Sequence, residues 1–257
     1  MTSFLVDCDG VLWAGSRSLP GAGEGLDMLE ASGAEVAFFT NNSHSTLAAI
    51  KARLAGLGVD VARSAVLSSP QALASVLGPG ERALVLGGAG VVEAVERRGA
   101  TVVDADAPGG SDRTDAVVVA LDRALDYERL SAAVAAVLAG ARLLAMNADP
   151  VFPGEGGRLL PGTGPIAAAV ACATGVEPRY CGKPYAPAVE LVRARVGEVD
   201  VVIGDQPSSD GALAEALGAR FGLVRSGLPG SGEEARWPVH AEGDDLMGVA
   251  RALLARR

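Results

Sequence analysis

Three short apolar runs, each ending in a polar cluster, constrain this chain more than any other feature. Phe4-Leu5-Val6 leads into Asp7-Cys8-Asp9-Gly10-Val11. Glu35-Val36-Ala37-Phe38-Phe39 leads into Thr40-Asn41-Asn42-Ser43. Val199-Asp200-Val201-Val202-Ile203 leads into Gly204-Asp205, with Asp210 further on. Short runs rich in Val, Ile and Phe read as strands buried on both faces. In an open parallel sheet the ligand sits beyond the carboxyl ends of the strands. These three distant stretches can therefore deliver Asp7, Asp9, Thr40, Asn41, Asp205 and Asp210 to one rim. Several carboxylates on one rim need a cation to be stable.

Between the runs the chain alternates strands and helices. A helix is expected over Glu24 to Ser32 with Gly33 as its stop, and another from Ser43 or Ser45 to Leu54, with Leu47, Ile50 and Leu54 at helical spacing. From Val66 a second strand–helix series begins. Pro70 suits the first turn of a helix to Leu77. Strands follow at 83–86, 101–103, 116–121 and 142–146, with helices at 90–98 and 127–138, the latter capped by Asp126. Residues 147–165 read as a long structureless loop, a length that is usually functional. Helices at 166–174 and 187–195, a strand at 220–224, an irregular stretch at 226–238 and a terminal helix capped by Asp244 complete the pattern. The reading is a core of residues 1–65 and 179–257 with a second α/β domain, 66–178, inserted into it.

Composition narrows the function. A formal net charge of −9 disfavours nucleic acid and anionic membrane as partners. No uncharged apolar stretch reaches the roughly 18 residues of a membrane span, and the N-terminus enters a strand without a basic region or cleavage signal. Cys8, Cys172 and Cys181 are odd in number and lack CxxC spacing, which reads as reduced thiols in a cytoplasm. With His44 and His240 as the imidazoles, a zinc site or a Ser-His-Asp triad is disfavoured.

Taken in order, Asp7-Cys8-Asp9-Gly10-Val11, Thr40-Asn41-Asn42-Ser43, Gly182-Lys183-Pro184 and Gly204-Asp205 with Asp210 resemble the four motifs of the haloacid dehalogenase-like (HAD) hydrolase superfamily. The large insert between the second and third motifs is similar to the cap of subfamily IIA. That group includes p-nitrophenyl phosphatase-like, phosphoglycolate, glycerol-3-phosphate and nucleotide or sugar phosphatases. The resemblance implies a HAD-like Rossmannoid core with a parallel sheet, an inserted α/β cap of type C2, and dimerisation through that cap. It also implies Mg²⁺, held by the Asp7 carboxylate, the Asp9 backbone carbonyl and the Asp205 carboxylate, with Asp210 in support. The Thr40 hydroxyl and the N–H groups of Asn41 and Asn42 would bind the phosphate oxygens, and Lys183 would pair with the phosphate and Asp7.

The chemistry fits those residue types. Phosphoryl transfer needs a nucleophile, neutralisation of charge and proton handling at the leaving oxygen. Asp7 can attack phosphorus to form an aspartyl phosphate. Asp9 can protonate the leaving alcohol and then take a proton from water. An oxygen-only site suits Mg²⁺. The expected function is a phosphatase for a small phosphomonoester. A phosphotransferase or mutase on the same site, or a non-catalytic binding protein of this fold, are the alternatives. The fourth motif departs from the usual pattern in Gln206-Pro207-Ser208-Ser209, so its loop shape is open. Asp210 serves either the metal or the next helix as a cap. Asn147, Asp149 and Arg158 either contact substrate or shape their loop. Leu84-Val85-Leu86-Gly87-Gly88-Ala89-Gly90, with Asp104 or Asp106 further on, echoes a dinucleotide loop, but Glu93 stands where the last glycine should be.

Overall fold

The first run forms β1 (Ser3–Val6), every residue of it buried. It is followed by a small hairpin, β2 (Trp13–Ala14) with β3 (Arg17–Ser18), then α1 (Ala22–Ala31), β4 (Glu35–Thr40), α2 (Leu47–Gly56) and β5 (Val66–Ser68). The second series gives α3 (Ser69–Ser75), β6 (Arg82–Leu86), α4 (Ala89–Arg97), β7 (Thr101–Val103), β8 (Ala116–Val119), α5 (Tyr127–Leu138), β9 (Arg142–Ala145), β10 (Val151–Pro153), β11 (Leu159–Pro161), α6 (Thr163–Thr174) and β12 (Arg179–Tyr180). The chain then forms α7 (Ala186–Arg195), β13 (Val201–Gly204), a single π-helical turn at Pro207–Gly211, α8 (Ala212–Leu217), β14 (Arg220–Val224), β15 (Val239–Gly243) and α9 (Leu246–Leu254). This computed structural model describes residues 2–105, 113–153, 159–225 and 236–255.

The chain forms two compact units. One comprises Met1–Thr40, Leu47–Leu67 and Val189–Arg257; the other comprises Asn41–Thr46 and Ser68–Ala188. The segments 41–46 and 179–188, which the sequence reading placed with the core, cluster with the second unit. The reason is local bonding: β12 adds to the second sheet beside β9, and Asn41 bonds the backbone of Lys183.

In the first unit the strand order is β15-β14-β13-β1-β4-β5. Pairing is parallel from β15 through β4, with Phe4 opposite both Val201 and Val36. The chain leaves β1 towards β4 on one side and returns as β13 on the other. The strand order therefore reverses between β1 and β13, where an open sheet forms its crevice. One face of the sheet is covered by α1 and α9, whose Leu26, Leu29, Leu246, Val249 and Leu253 share a core with Phe4, Val6, Phe38 and Ile203. Each such buried side chain contributes about 1.5–3 kcal/mol.

The second unit carries a parallel sheet of order β12-β9-β8-β6-β7. Its strand order reverses between β6 and β8. Cores of Val, Leu and Ala lie on both faces, and Asp126 caps α5 by accepting from the N–H of Arg129.

Several details correct the sequence reading. The 147–165 stretch is not structureless: β10 and β11 form an antiparallel hairpin, and α6 starts at Thr163. β15 occupies 239–243, after a stretch read as irregular that lies largely outside the described residues. The terminal helix is capped by Asp245, which accepts from the N–H of Gly248, rather than by Asp244. No helix among the described residues is long and apolar enough to cross a membrane.

Candidate active site

The reversal point of the first sheet is lined with acids. Asp7 directly follows β1 and donates its N–H to the Ile203 carbonyl at 2.8 Å, which fixes it beside the end of β13. Asp205 directly follows β13. Asp210 lies in the π-helical turn after it, only 1% exposed. Oxygens of Asp7, Asp205 and Asp210 lie within 4.8 Å of one another. Gly10, at φ +83°, makes room for this arrangement: a Cβ there would stand 2.1 Å from Asp205 Oδ2. Asp210 does not cap α8. It turns back and accepts from the N–H of Gln206 at 3.2 Å, which keeps its carboxyl at the rim. Three acids this close repel one another when ionised. An all-oxygen set of this kind fits a hard divalent cation, which removes that cost.

The Asp9 side chain has a different setting. Its Oδ1 accepts from the indole Nε1 of Trp13 at 3.0 Å, and its Oδ2 accepts from the Thr40 hydroxyl at 2.9 Å. Thr40 is the last residue of β4 and fully buried. Cys8, between the two aspartates, points away into the core.

Asn41, Asn42 and Lys183 belong to the second unit. Asn41 Oδ1 accepts from the Lys183 N–H at 3.0 Å and from the Ser69 hydroxyl, and Asn41 Nδ2 donates to the Lys183 carbonyl at 3.4 Å. The Asn41 side chain thus pairs with the backbone on both sides of Lys183, which is 3% exposed. Asn42 Oδ1 accepts from the N–H groups of His44 and Ser45, at 3.0 and 2.9 Å, closing the turn before α2. Neither Ser43 nor Ser45 caps that helix in the described hydrogen bonds, and it starts later than expected, at Leu47.

The glycine-rich loop 87–90 packs against this same turn. Gly90 donates its N–H to the His44 carbonyl, and a Cβ on Gly90 would lie 2.3 Å from the Ser45 carbonyl oxygen. The Ser43 hydroxyl accepts from the N–H of Leu121 at 3.4 Å. The glycines admit a neighbouring backbone, and that backbone fills the space a pyrophosphate would need. The loop is a tight structural turn, in keeping with Glu93 standing where a dinucleotide loop has its last glycine; Asp106 lies outside the described residues.

Of the three loop residues, Asn147 is buried and accepts from the N–H of Asp149 at 3.4 Å. Asp149 lies near Tyr185, whose hydroxyl is pushed up by burial first and then by Tyr180 and Asp149. Tyr180 and Tyr185 stack at 5.0 Å. Arg158 lies outside the described residues. The sequence reading missed Trp13, Arg53 and Ser69. For Trp13 there was a signal: a buried indole seeks an acceptor, and Asp9 stands four residues before it.

Comparison with known proteins bears on the whole chain. The family model for haloacid dehalogenase-like hydrolases matches residues 4–101, and a second HAD-hydrolase-like model matches residues 180–246. Dihydroxyacetone phosphatase of Corynebacterium glutamicum (strain R) is 33% identical over 242 residues, which cover 92% of this chain and 85% of that protein. The chain belongs to the haloacid dehalogenase-like hydrolases. Solved HAD-family structures agree in fold. A p-nitrophenyl phosphatase from Archaeoglobus fulgidus is 28% identical, with a TM-score of 0.86 and 98% of each chain covered. A glycerol phosphate phosphatase from Mycobacterium tuberculosis, in complex with magnesium, is 31% identical with a TM-score of 0.80, covering 96% of this chain and 75% of that one.

Proposed function

We propose that this HAD-family chain is a Mg²⁺-dependent phosphatase that hydrolyses a small phosphomonoester through an aspartyl phosphate on Asp7. The observation that carries this reading is the convergence of Asp7, Asp205 and Asp210 at the strand-order reversal. These residues, with the Asp9 backbone carbonyl, would hold Mg²⁺, which when bound neutralises charge on the phosphate and on the acids. The names of the relatives support a substrate of triose, glycerol or sugar type.

In the first step an Asp7 carboxylate oxygen bonds to phosphorus as the ester P–O bond breaks, and Asp9 gives its proton to the departing oxygen. In the second step water attacks phosphorus, Asp9 takes its proton, and the Asp7 O–P bond breaks to free phosphate. The Thr40 hydroxyl and the N–H groups of Asn41 and Asn42 are assigned to the phosphate oxygens. Lys183 is assigned to the phosphate charge on the family resemblance. Asn147, Asp149 and Arg158 are assigned to the substrate's other end. Pairing of two copies through the second unit, and work in a reducing cytoplasm, complete the reading; sedimentation would show the first.

The test is phosphate release from p-nitrophenyl phosphate and a panel of small phosphomonoesters, with and without Mg²⁺. Release should require the metal and fall by about 10⁴-fold or more in Asp7→Asn. Absence of release from every ester, with Mg²⁺ bound, would overturn the phosphatase reading.

A further inference from the structure

Asp9 is held at two oxygens by donors of unlike kind. Trp13 Nε1 donates to Oδ1 from a side chain that is 2% exposed and part of the first unit's core. The main chain of Trp13 is anchored on both sides, and its ring carries a cation. The Trp13 backbone N–H donates to the Cys8 carbonyl at 3.2 Å, and the Trp13 carbonyl accepts from the Gly10 N–H at 2.8 Å. β2 pairs with β3 from Trp13 onward. The Arg53 guanidinium lies 4.1 Å from the ring centroid, anchored by donating to the Gly15 carbonyl at 2.8 Å. A cation stacked on an indole face is attracted to it and restrains it. The donor at Oδ2 is the Thr40 hydroxyl, a rotor that can turn to another acceptor without moving the backbone.

Resting on the phosphatase reading above, we propose that Trp13 is a positioning residue for the proton transfer. Its N–H holds Asp9 Oδ1 throughout the cycle. Oδ2, shared with the Thr40 hydroxyl, is then the oxygen that gives a proton to the leaving group and later takes one from water. No further reactant is needed: the proton leaves Asp9 Oδ2 as the ester P–O bond breaks and is restored by the water that releases phosphate.

Leaving-group chemistry separates this role from plain packing. An alkoxide cannot depart without a proton, whereas p-nitrophenolate can. Trp13→Phe keeps an aromatic ring and removes the N–H. Its kcat/KM on the best alkyl phosphate should fall about tenfold, part of the roughly 10²–10⁴ that a placed acid supplies. On p-nitrophenyl phosphate the fall should stay below about threefold. The ratio of the two is taken on the same preparation, so any misfolded fraction cancels. Asp9→Asn should show the same asymmetry, enlarged. If Trp13→Phe does not fold, tryptophan can be replaced by β-(3-benzothienyl)alanine in a Trp237→Phe background, which keeps the ring shape and is read the same way. Equal losses on both esters would reduce Trp13 to packing and overturn the proposal, as would an Asp9→Asn variant without asymmetry. A wild-type chain inert towards both esters would instead remove the phosphatase reading beneath it.

Discussion

Both parallel sheets reverse their strand order in mid-sheet, so each offers a crevice at its carboxyl ends, and the two crevices are used in opposite ways. In the first, Asp7, Asp205 and Asp210 face one another across the gap between β1 and β13. In the second, the gap between β6 and β8 is packed with the backbone of residues 43–45, seated on Gly88 and Gly90. Asp122, just past β8, is paired with Arg129 at 2.9 Å, the two side chains being 4% and 14% exposed. The architecture supplies a crevice; the residues at its edge decide whether it becomes chemistry or packing. A buried acid matched to a guanidinium is settled by the protein itself. Acids brought this close to one another repel when ionised, and a divalent cation among them offsets that repulsion.

The contrast can be broken at either sheet. Arg129→Met strips Asp122 of its buried cation and should cost about 3 kcal/mol in urea unfolding; a cost under about 1 kcal/mol would show that the pair does not hold the second crevice. Asp210→Asn should do the reverse at the first sheet. With EDTA present it should stabilise the chain by about 1 kcal/mol, because one of three repelling charges is gone. The rise in Tm that Mg²⁺ gives the native chain should shrink in this variant, since binding stabilises only in proportion to affinity. An EDTA melt identical to the native one would mean that the acids do not strain the fold.

A smaller effect, absent at neutral pH, concerns Cys181 beside the second sheet. Burial pushes its thiol up from the ordinary 9.0 to about 11, against the pull of Arg179 and Arg142. The folded value is raised, so the contribution is whole below pH 9, where both states keep the proton. It is lost as pH climbs towards about 11, because the unfolded chain ionises first. Cys181→Ala should flatten the stability curve in that window in pH-jump unfolding, whereas removing the exposed Cys172 should not.

The apolar runs of β1, β4 and β13 were legible because strands covered on both faces leave an unbroken hydrophobic signature. Asp126 was legible as a cap because its helix starts at the next residue. β15 was not: Val239-His240-Ala241-Glu242-Gly243 is an edge strand with little apolar character, and Ala241 alone in it is buried. The β10–β11 hairpin was hidden by Pro153 and Pro161, which argue against a strand in sequence and are tolerated at an edge. At the site, the acids were visible as residues following strands, but the direction of each side chain was not. Whether Asp210 would face the rim or the helix depended on a π-helical turn that no periodicity announces. The Asp9–Trp13 bond depended on a reverse turn set by backbone bonds to Cys8 and Gly10.

The order of strands in the first sheet also sets a timetable at the ribosome. Its central pair joins residues 4–6 to residues 201–203, so β1 is made long before the strand that becomes its second neighbour. The second sheet closes entirely within residues 82–180. A nascent chain of this topology therefore completes its local sheet while β1 still has an unpaired edge. Pairings so distant in sequence are slow to close and leave strand edges open to aggregation in the meantime. The stretch that ends in Asp7 thus keeps an open strand edge until residues 201–203 have been made.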